Sequence, residues 1–260
     1  MFSYAGHSKL GYNREENEDF VFVKEFGTKM ILTIIADGNG SKPSSLQPAQ
    51  IAARQISDFL FDIYDDGKNE KLLMENASLF LKEAILSVNR VLGAFRTANE
   101  EVYSGFFCSL LCAIFYTDDE GNDHMVLANV GNTRMYLIRR GNDGNVLIRQ
   151  LTKDQTVAQQ MLDENQIAEE NYYYIAERNQ LLCPLGMFNR PKIDLFDSKI
   201  KKGCLFMMTT DGIHYAIRPE ALAELVLANE NLEEASQTLC DSAESLKYND
   251  DYSAILVRSI

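Results

Sequence analysis

Apolar positions along the chain alternate between two periods. Residues 30 to 36 (MILTIIA) form an unbroken β-branched run of strand length, the pattern of a strand buried on both faces. A strand is also expected at 20 to 26. Residues 46 to 64 then place Ile51, Ala52, Ile56, Leu60 and Ile63 at helical spacing. Residues 69 to 96 do the same with Leu72, Leu73, Leu79, Leu81, Ile85, Val88 and Leu92, so two long helices are expected.

Strands return at CSLLCAIFY, MVLANV, TRMYLIRR and VLIRQLT, separated by the short turns DDEGND, GN and GNDGN. Turns that short join antiparallel neighbours. A helix is predicted over 153–165, an irregular flap over 166–203, and a strand at CLFMMTTDG. Helices follow at RPEALAELVLAN, with Pro219 near its start, and at NLEEASQTLCDSAESLK; YSAILVRS is the last strand. No repeat or linker interrupts the series. The expectation is one α+β domain over residues 1–260: two antiparallel sheets packed as a sandwich, with pairs of helices outside them in four layers.

Composition narrows the function. Apolar residues at 46% and charged residues at 24% suit a globular protein. A formal net charge of −13 opposes sequence-independent nucleic-acid binding, which needs cations against phosphates, and docking on anionic membranes. The five cysteines, Cys108, Cys112, Cys183, Cys204 and Cys240, are scattered and mostly in apolar runs, as expected of reduced thiols. The opening MFSYAGHSKLG has no basic region followed by an apolar one, and no apolar stretch is long enough to span a bilayer. A cytoplasmic monomer is expected.

Candidate chemistry lies where apolar runs meet acids. The 30–36 run stops at Asp37-Gly38, which reads either as a polar turn or as a carboxylate and an open carbonyl aimed at a hard cation. LFMMTTDGI repeats the pattern at Asp211 and Gly212. Asp250 and Asp251 precede the last strand; Glu16, Glu18 and Asp19 precede the one at 20 to 26. Converging, these ends would form an oxygen-rich site favouring magnesium or manganese. Singly, each acid reads as a solvated strand end.

The motifs carry a resemblance. Gly11, Arg14, Asn17, Glu18 and Asp19 spell G-x-x-R-x-x-N-E-D; ADGNG, LANVGNTRMYLIRRG, LTKDQT with RNQLLCPLG, TTDGI and NDDYSAILV follow in order. Together they resemble the metal-dependent serine/threonine protein phosphatases of type 2C (PPM), in their bacterial form. The resemblance implies hydrolysis of phosphoserine and phosphothreonine in proteins by water activated on two Mn2+ or Mg2+ ions. Asp37 would bridge the ions and the Gly38 carbonyl would bind one, supported by Glu18. Asp211 and Asp250 would hold the other, Asp19 would stand behind them, and Arg14 would grip the phosphate. Without the resemblance, Arg14 reads as a surface partner of Glu15 or Glu16.

Departures are local. Asn39 follows D-G where relatives often carry histidine, and Gly105, Phe106 and Phe107 replace a small-residue strand start. Asn132 stands where an acid helps hold a third ion, so that ion is expected to be weak or absent; Asn132 also suits a tight turn by tolerating unusual backbone angles. His214 is a conceivable proton donor, while His7 and His124 read as surface residues. The runner-up function is a catalytically weak phosphatase-like module that binds a phosphoprotein. A nuclease is disfavoured by charge, and the D-x-D-x-[TV] signature of aspartyl-nucleophile hydrolases does not occur.

Overall fold

A computed structural model describes residues 1–39, 46–98, 100–141 and 145–260. Gly40, at the end of ADGNG, and the centre of the GNDGN turn lie outside the described residues. Ten strands are described: β1 (Phe2–Lys9), β2 (Asp19–Phe26), β3 (Met30–Asn39), β4 (Phe107–Thr117), β5 (Asp123–Val130), β6 (Arg134–Arg140), β7 (Val146–Gln150), β8 (Asp194–Ile200), β9 (Leu205–Thr209) and β10 (Tyr252–Ser259). They form two five-stranded sheets, ordered β1-β10-β9-β6-β7 and β2-β3-β4-β5-β8, and every pairing is antiparallel.

Period-two alternation assigns each strand's side chains to two cores. On β3, Ile31 and Ile35 point between the sheets, while Leu32, Ile34 and Ala36 point outward. On β10, Ile255 and Val257 face inward, and Ala254 and Leu256 outward. The outward faces are covered by helices. On the second sheet lie α1 (Pro48–Tyr64), α2 (Glu70–Glu75) and α3 (Ala77–Ala98), followed by the single turn α4 (Glu100–Tyr103). Leu81, Ala84, Ile85, Val88 and Leu92 of α3 are fully buried there, the stripe that helical spacing predicts. After α5 (Val157–Asp163) and the short α6 (Asp211–His214), α7 (Pro219–Leu227) and α8 (Leu232–Ser245) cover the first sheet. The expected four-layer α+β sandwich is the observed one.

Four expectations need correction. The helix over 69–96 is two helices, broken at Asn76, whose Nδ2 turns back to the Leu72 carbonyl at 3.0 Å. The helix over 153–165 is only α5, begun by Thr156, whose hydroxyl accepts the Gln159 N–H. The 166–203 segment is not wholly irregular: two 3-10 turns (Glu169–Tyr174 and Ala176–Asn179) precede β8, which pairs with β5 at the sheet edge. The strand β1 was not expected at all. Among the described residues no helix is long and apolar enough to cross a membrane.

All five cysteines are unpaired. His124 is not free on the surface. It stacks on Tyr116 with ring centroids 4.8 Å apart and meets Asp118 at 2.9 Å. Phe106, one of the bulky replacements, is buried and packs edge-on against Tyr103.

Candidate active site

At one end of the sandwich, strand ends and connections from both sheets bring polar residues together. The β1–β2 connection carries Arg14 and Glu18, and the β5–β6 turn carries Asn132. Asp211 opens α6 just after β9, and Asp250 stands just before β10. Asp37 is not in a turn, as the Asp-Gly pair suggested. β3 runs on to Asn39, pairing Asp37 with Asp19 on one side and Ser109 on the other. Gly38 is needed there for close approach: a Cβ would stand 2.8 Å from the Glu18 carbonyl oxygen. Its N–H donates to that oxygen at 3.1 Å. In the β5–β6 turn it is Gly131, not Asn132, that takes the left-handed backbone, with φ +101, and only glycine does so without strain.

These ends enclose a cleft of about 390 Å³ lined by Arg14, Glu18, Asp37, Gly38, Asp211 and Asp250, with Asn39 and Asn132 beside them. The six residues that the resemblance assigns to catalysis or metal ligation therefore line one cleft. Phe107, Leu181 and Met187 form an apolar part of the wall. Arg14 Nη1 donates to Glu18 at 2.9 Å, and its Nη2 to Asp250, so its partners are the acids of the cleft, not Glu15 or Glu16. Asn132 Nδ2 donates to Asp211 at 3.0 Å. Behind the cleft, Asp19 is buried and accepts the Thr210 hydroxyl at 2.7 Å.

The carboxylates are a costly assembly. Burial, with the charges of Asp211, Asp19 and Asp250, holds the Asp37 carboxyl well above its ordinary range, and Arg14 opposes this only in part. Burial and then Asp250 push Asp211 up to about 7. Asp250 is raised by burial against the pull of Arg14, and Asp19 is raised strongly by burial. Like charges packed together in low dielectric cannot all ionise without a counter-cation. Among the described residues no three side chains are already drawn into a coordination shell; Arg14 supplies the counter-charge. Asn132 Oδ1 is buried without a hydrogen-bond partner among the described residues. A donor set made only of oxygens, crowded and short of positive charge, fits hard divalent cations.

A linkage prediction follows for chelated protein. The folded pKa of Asp211 is raised, so its stabilising contribution is complete below about pH 4 and is lost as pH rises through about 7. Wild type should therefore lose stability relative to Asp211→Asn between about pH 4 and 7, with no further change above that. Urea melts of both proteins with EDTA check this, and a constant difference across the range would contradict it.

His214 is not a proton donor to the cleft. It is fully buried, its Nδ1 lies 2.9 Å from the Thr209 hydroxyl, and burial with Arg134 and Arg178 pushes its pKa well below the ordinary value. A further set of buried polar residues had no place in the sequence reading. Arg134 Nε and Nη2 bind Asp154 at 2.8 and 2.6 Å. The Tyr172 hydroxyl donates to the same carboxylate at 2.5 Å, and Tyr215 lies under the guanidinium, 5.3 Å from its carbon to the ring centroid. Tyr215 follows α6, which Asp211 begins, and its hydroxyl donates to the Arg178 carbonyl at 2.9 Å. The next residues, Asn179, Gln180 and Leu181, line the cleft. The signal available in sequence was that Arg134 stands in LANVGNTRMYLIRRG and Asp154 in LTKDQT, two motifs that occur in family order.

A two-sheet sandwich with an acidic, arginine-bearing cleft at one end defines a class of hydrolase acting on anionic esters with bound cations. The model of the family described as Protein phosphatase 2C matches residues 6–250, and the chain belongs to that family. The serine/threonine phosphatase stp of Listeria innocua is 25% identical over 247 residues, covering 95% of this chain and 92% of its own. The solved Mycobacterium tuberculosis serine/threonine phosphatase PstP/Ppp superposes with a TM-score of 0.79 at 22% identity, over 99% of this chain and 98% of the other. The catalytic domain of PstP in complex with two manganese ions gives 0.73 at 22% identity, over 99% and 97%. At that identity the structural likeness speaks for the fold.

Proposed function

We propose that the chain acts as a single domain, residues 1–260, that hydrolyses phosphoserine and phosphothreonine in proteins with the help of manganese or magnesium. The observation that carries this reading is the meeting of Asp37, Asp211 and Asp250 with Arg14 in one cleft. Two ions are the proposed complement. Asp37 would serve both, the Gly38 carbonyl and Glu18 one, and Asp211 and Asp250 the other. When bound, such ions supply Lewis acidity, lowering the pKa of the attacking water and offsetting charge on the phosphoryl group.

The chain's own groups do the rest. Arg14, which lines the cleft with 29% of its side chain exposed, offers a planar fork of donors to phosphate oxygens. The Asp19–Thr210 hydrogen bond ties β2 to the end of β9 and fixes the frame between Asp37 and Asp211. Asn132 holds Asp211 with a donor and brings no charge, so a third ion beside it is weak or absent in this reading. Asn39 and Asn132 can orient a substrate by hydrogen bonds but have no proton to exchange near neutral pH. A binding-only module is the less favoured reading, because Asp37, Asp211 and Asp250 are all retained, and the one acid replaced, at Asn132, belongs to the third ion. The partner proposed is a phosphorylated protein, met in the cytoplasm by a monomer; the acidic surface disfavours nucleic acid and anionic membranes.

The test is phosphate release from a phosphothreonine peptide. Manganese or magnesium should support turnover, EDTA should abolish it, and readdition should restore it. Full activity in thoroughly demetallated protein would overturn the cation-dependent mechanism.

A further inference from the structure

The acid that follows Asp250 does not line the cleft, yet its carboxylate is more fully buried than any ligand candidate's. Asp251 is 1% exposed. Its Oδ1 accepts the N–H of Gly11 at 2.8 Å, and its Oδ2 accepts the N–H of Glu18, also at 2.8 Å. Those two amides bracket the loop that carries Arg14, so one carboxylate from the far end of the sequence closes both ends of it. The Arg14 N–H donates to the Gly11 carbonyl at 3.1 Å and folds the loop into a turn between them.

The backbone beneath this carboxylate is equally confined. A Cβ on Gly11 would stand 2.2 Å from the Asp250 carbonyl oxygen, and one on Gly212 would stand 1.9 Å from that of Asp251. The Asp250–Asp251 unit is thus gripped between a glycine of the loop and a glycine of α6. Neither position can take a side chain without separating Asp211, Asp250 and Arg14.

We propose that Asp251 is a positioning residue: its carboxylate clamps residues 11 to 18 so that Arg14 and Glu18 are presented to Asp250 and Asp37. For its catalytic consequence this rests on the phosphatase reading; the clamp itself does not. The chemistry calls for a carboxylate. Both oxygens face N–H donors, and an ionised carboxylate only accepts. Asparagine would turn an NH2 group toward one of the amides, keeping one bond and leaving one buried N–H unsatisfied. Arg14 Nη1, 3.9 Å from Asp251 Oδ2, adds attraction in the same direction.

Amide hydrogen exchange by NMR on chelated protein tests the clamp directly in Asp251→Asn and Asp251→Ala. At least one of the Gly11 and Glu18 amides should exchange about tenfold faster or more in Asp251→Asn. Both should do so in Asp251→Ala, with β9 and β10 amides unchanged. In manganese-saturated protein the KM for a phosphothreonine peptide should rise about tenfold, while kcat changes less than about threefold. Wild-type exchange at both amides in Asp251→Asn overturns the proposal, as does acceleration spread through β9 and β10 with KM unchanged. Should Asp251→Ala fail to fold, the near-isosteric Asp251→Asn decides alone. Exchange needs no catalysis, so an inactive wild type would refute the phosphatase reading and leave the clamp to be judged on exchange.

Discussion

Asp37→Asn should lower kcat on a phosphothreonine peptide by at least about 10²-fold while leaving the protein folded. Asp37 lies between paired strands, with Asp19 opposite it on β2 and Ser109 on β4, so an asparagine of nearly the same shape keeps the backbone register. What it removes is charge at the point where the fields of Asp211, Asp19 and Asp250 overlap. A neutral amide binds a divalent cation poorly and leaves an attacking water closer to its ordinary pKa. In chelated protein the same change relieves a buried acid of its repulsion, so stability should hold or rise. The combined signature is collapsed turnover with an unchanged or raised melting temperature. Near-wild-type turnover at saturating manganese would remove Asp37 from the machinery.

Arg134→Ala should destabilise the protein by about 3–5 kcal/mol, the cost of breaking a buried ion pair on one side. The side chains of Arg134 and Asp154 are 3% and 0% exposed, so their two-point contact is closed to bulk solvent. Removing the guanidinium leaves the Asp154 carboxyl unpaired in the interior, with Tyr172 as a remaining donor, and takes away one of the two guanidiniums over Tyr215, Arg178 remaining at 4.7 Å. The penalty belongs largely to the stranded partner. The double replacement Arg134→Met with Asp154→Leu should therefore recover much of the loss. Urea titrations of the three proteins measure this. A single variant within 1 kcal/mol of wild type would mean that the pair is hydrated in solution, a threshold set by ordinary exposed pairs at about 0–1 kcal/mol.

Much of the sandwich was legible because its strands are buried on both faces. β3, β4 and β10 are nearly continuous apolar runs, and α1 and α3 carry an unambiguous stripe. β1 and β8 escaped for the opposite reason. FSYAGHSK mixes small and polar residues, and DLFDSKI is an edge strand that leaves Leu195 and Phe196 42% and 39% exposed. Neither has the alternation that burial of one full face imposes. Asp-Gly at 37–38 reads locally as a turn, but pairing on both sides carries the strand through it; tertiary context overrides the local preference.

At the site, the acids were legible as motifs in order, since each follows or precedes a strand. The residues that hold them in place were not. Asp154 is twenty positions from Arg134, and although each stands in a recognisable motif, neither motif says that its charge meets the other's. The partners of Asp251 are main-chain amides, which every residue but proline possesses. Hydrogen bonds of that kind leave no trace in residue type on one side, so only coordinates reveal them.

The order of the first sheet has a consequence for biosynthesis. Among the described residues β1 is hydrogen-bonded only to β10, a strand that lies some 240 residues later in the chain. Until residues 252 to 259 have left the ribosome, β1 has nothing to pair with, the 11–18 loop has no anchor, and Asp250 is not yet beside Arg14. Contacts spanning some 240 residues also close slowly relative to local ones. Chains cut short before β10 would therefore be inert toward the phosphoproteins around them, because the cleft is closed only by the strand that follows Asp250.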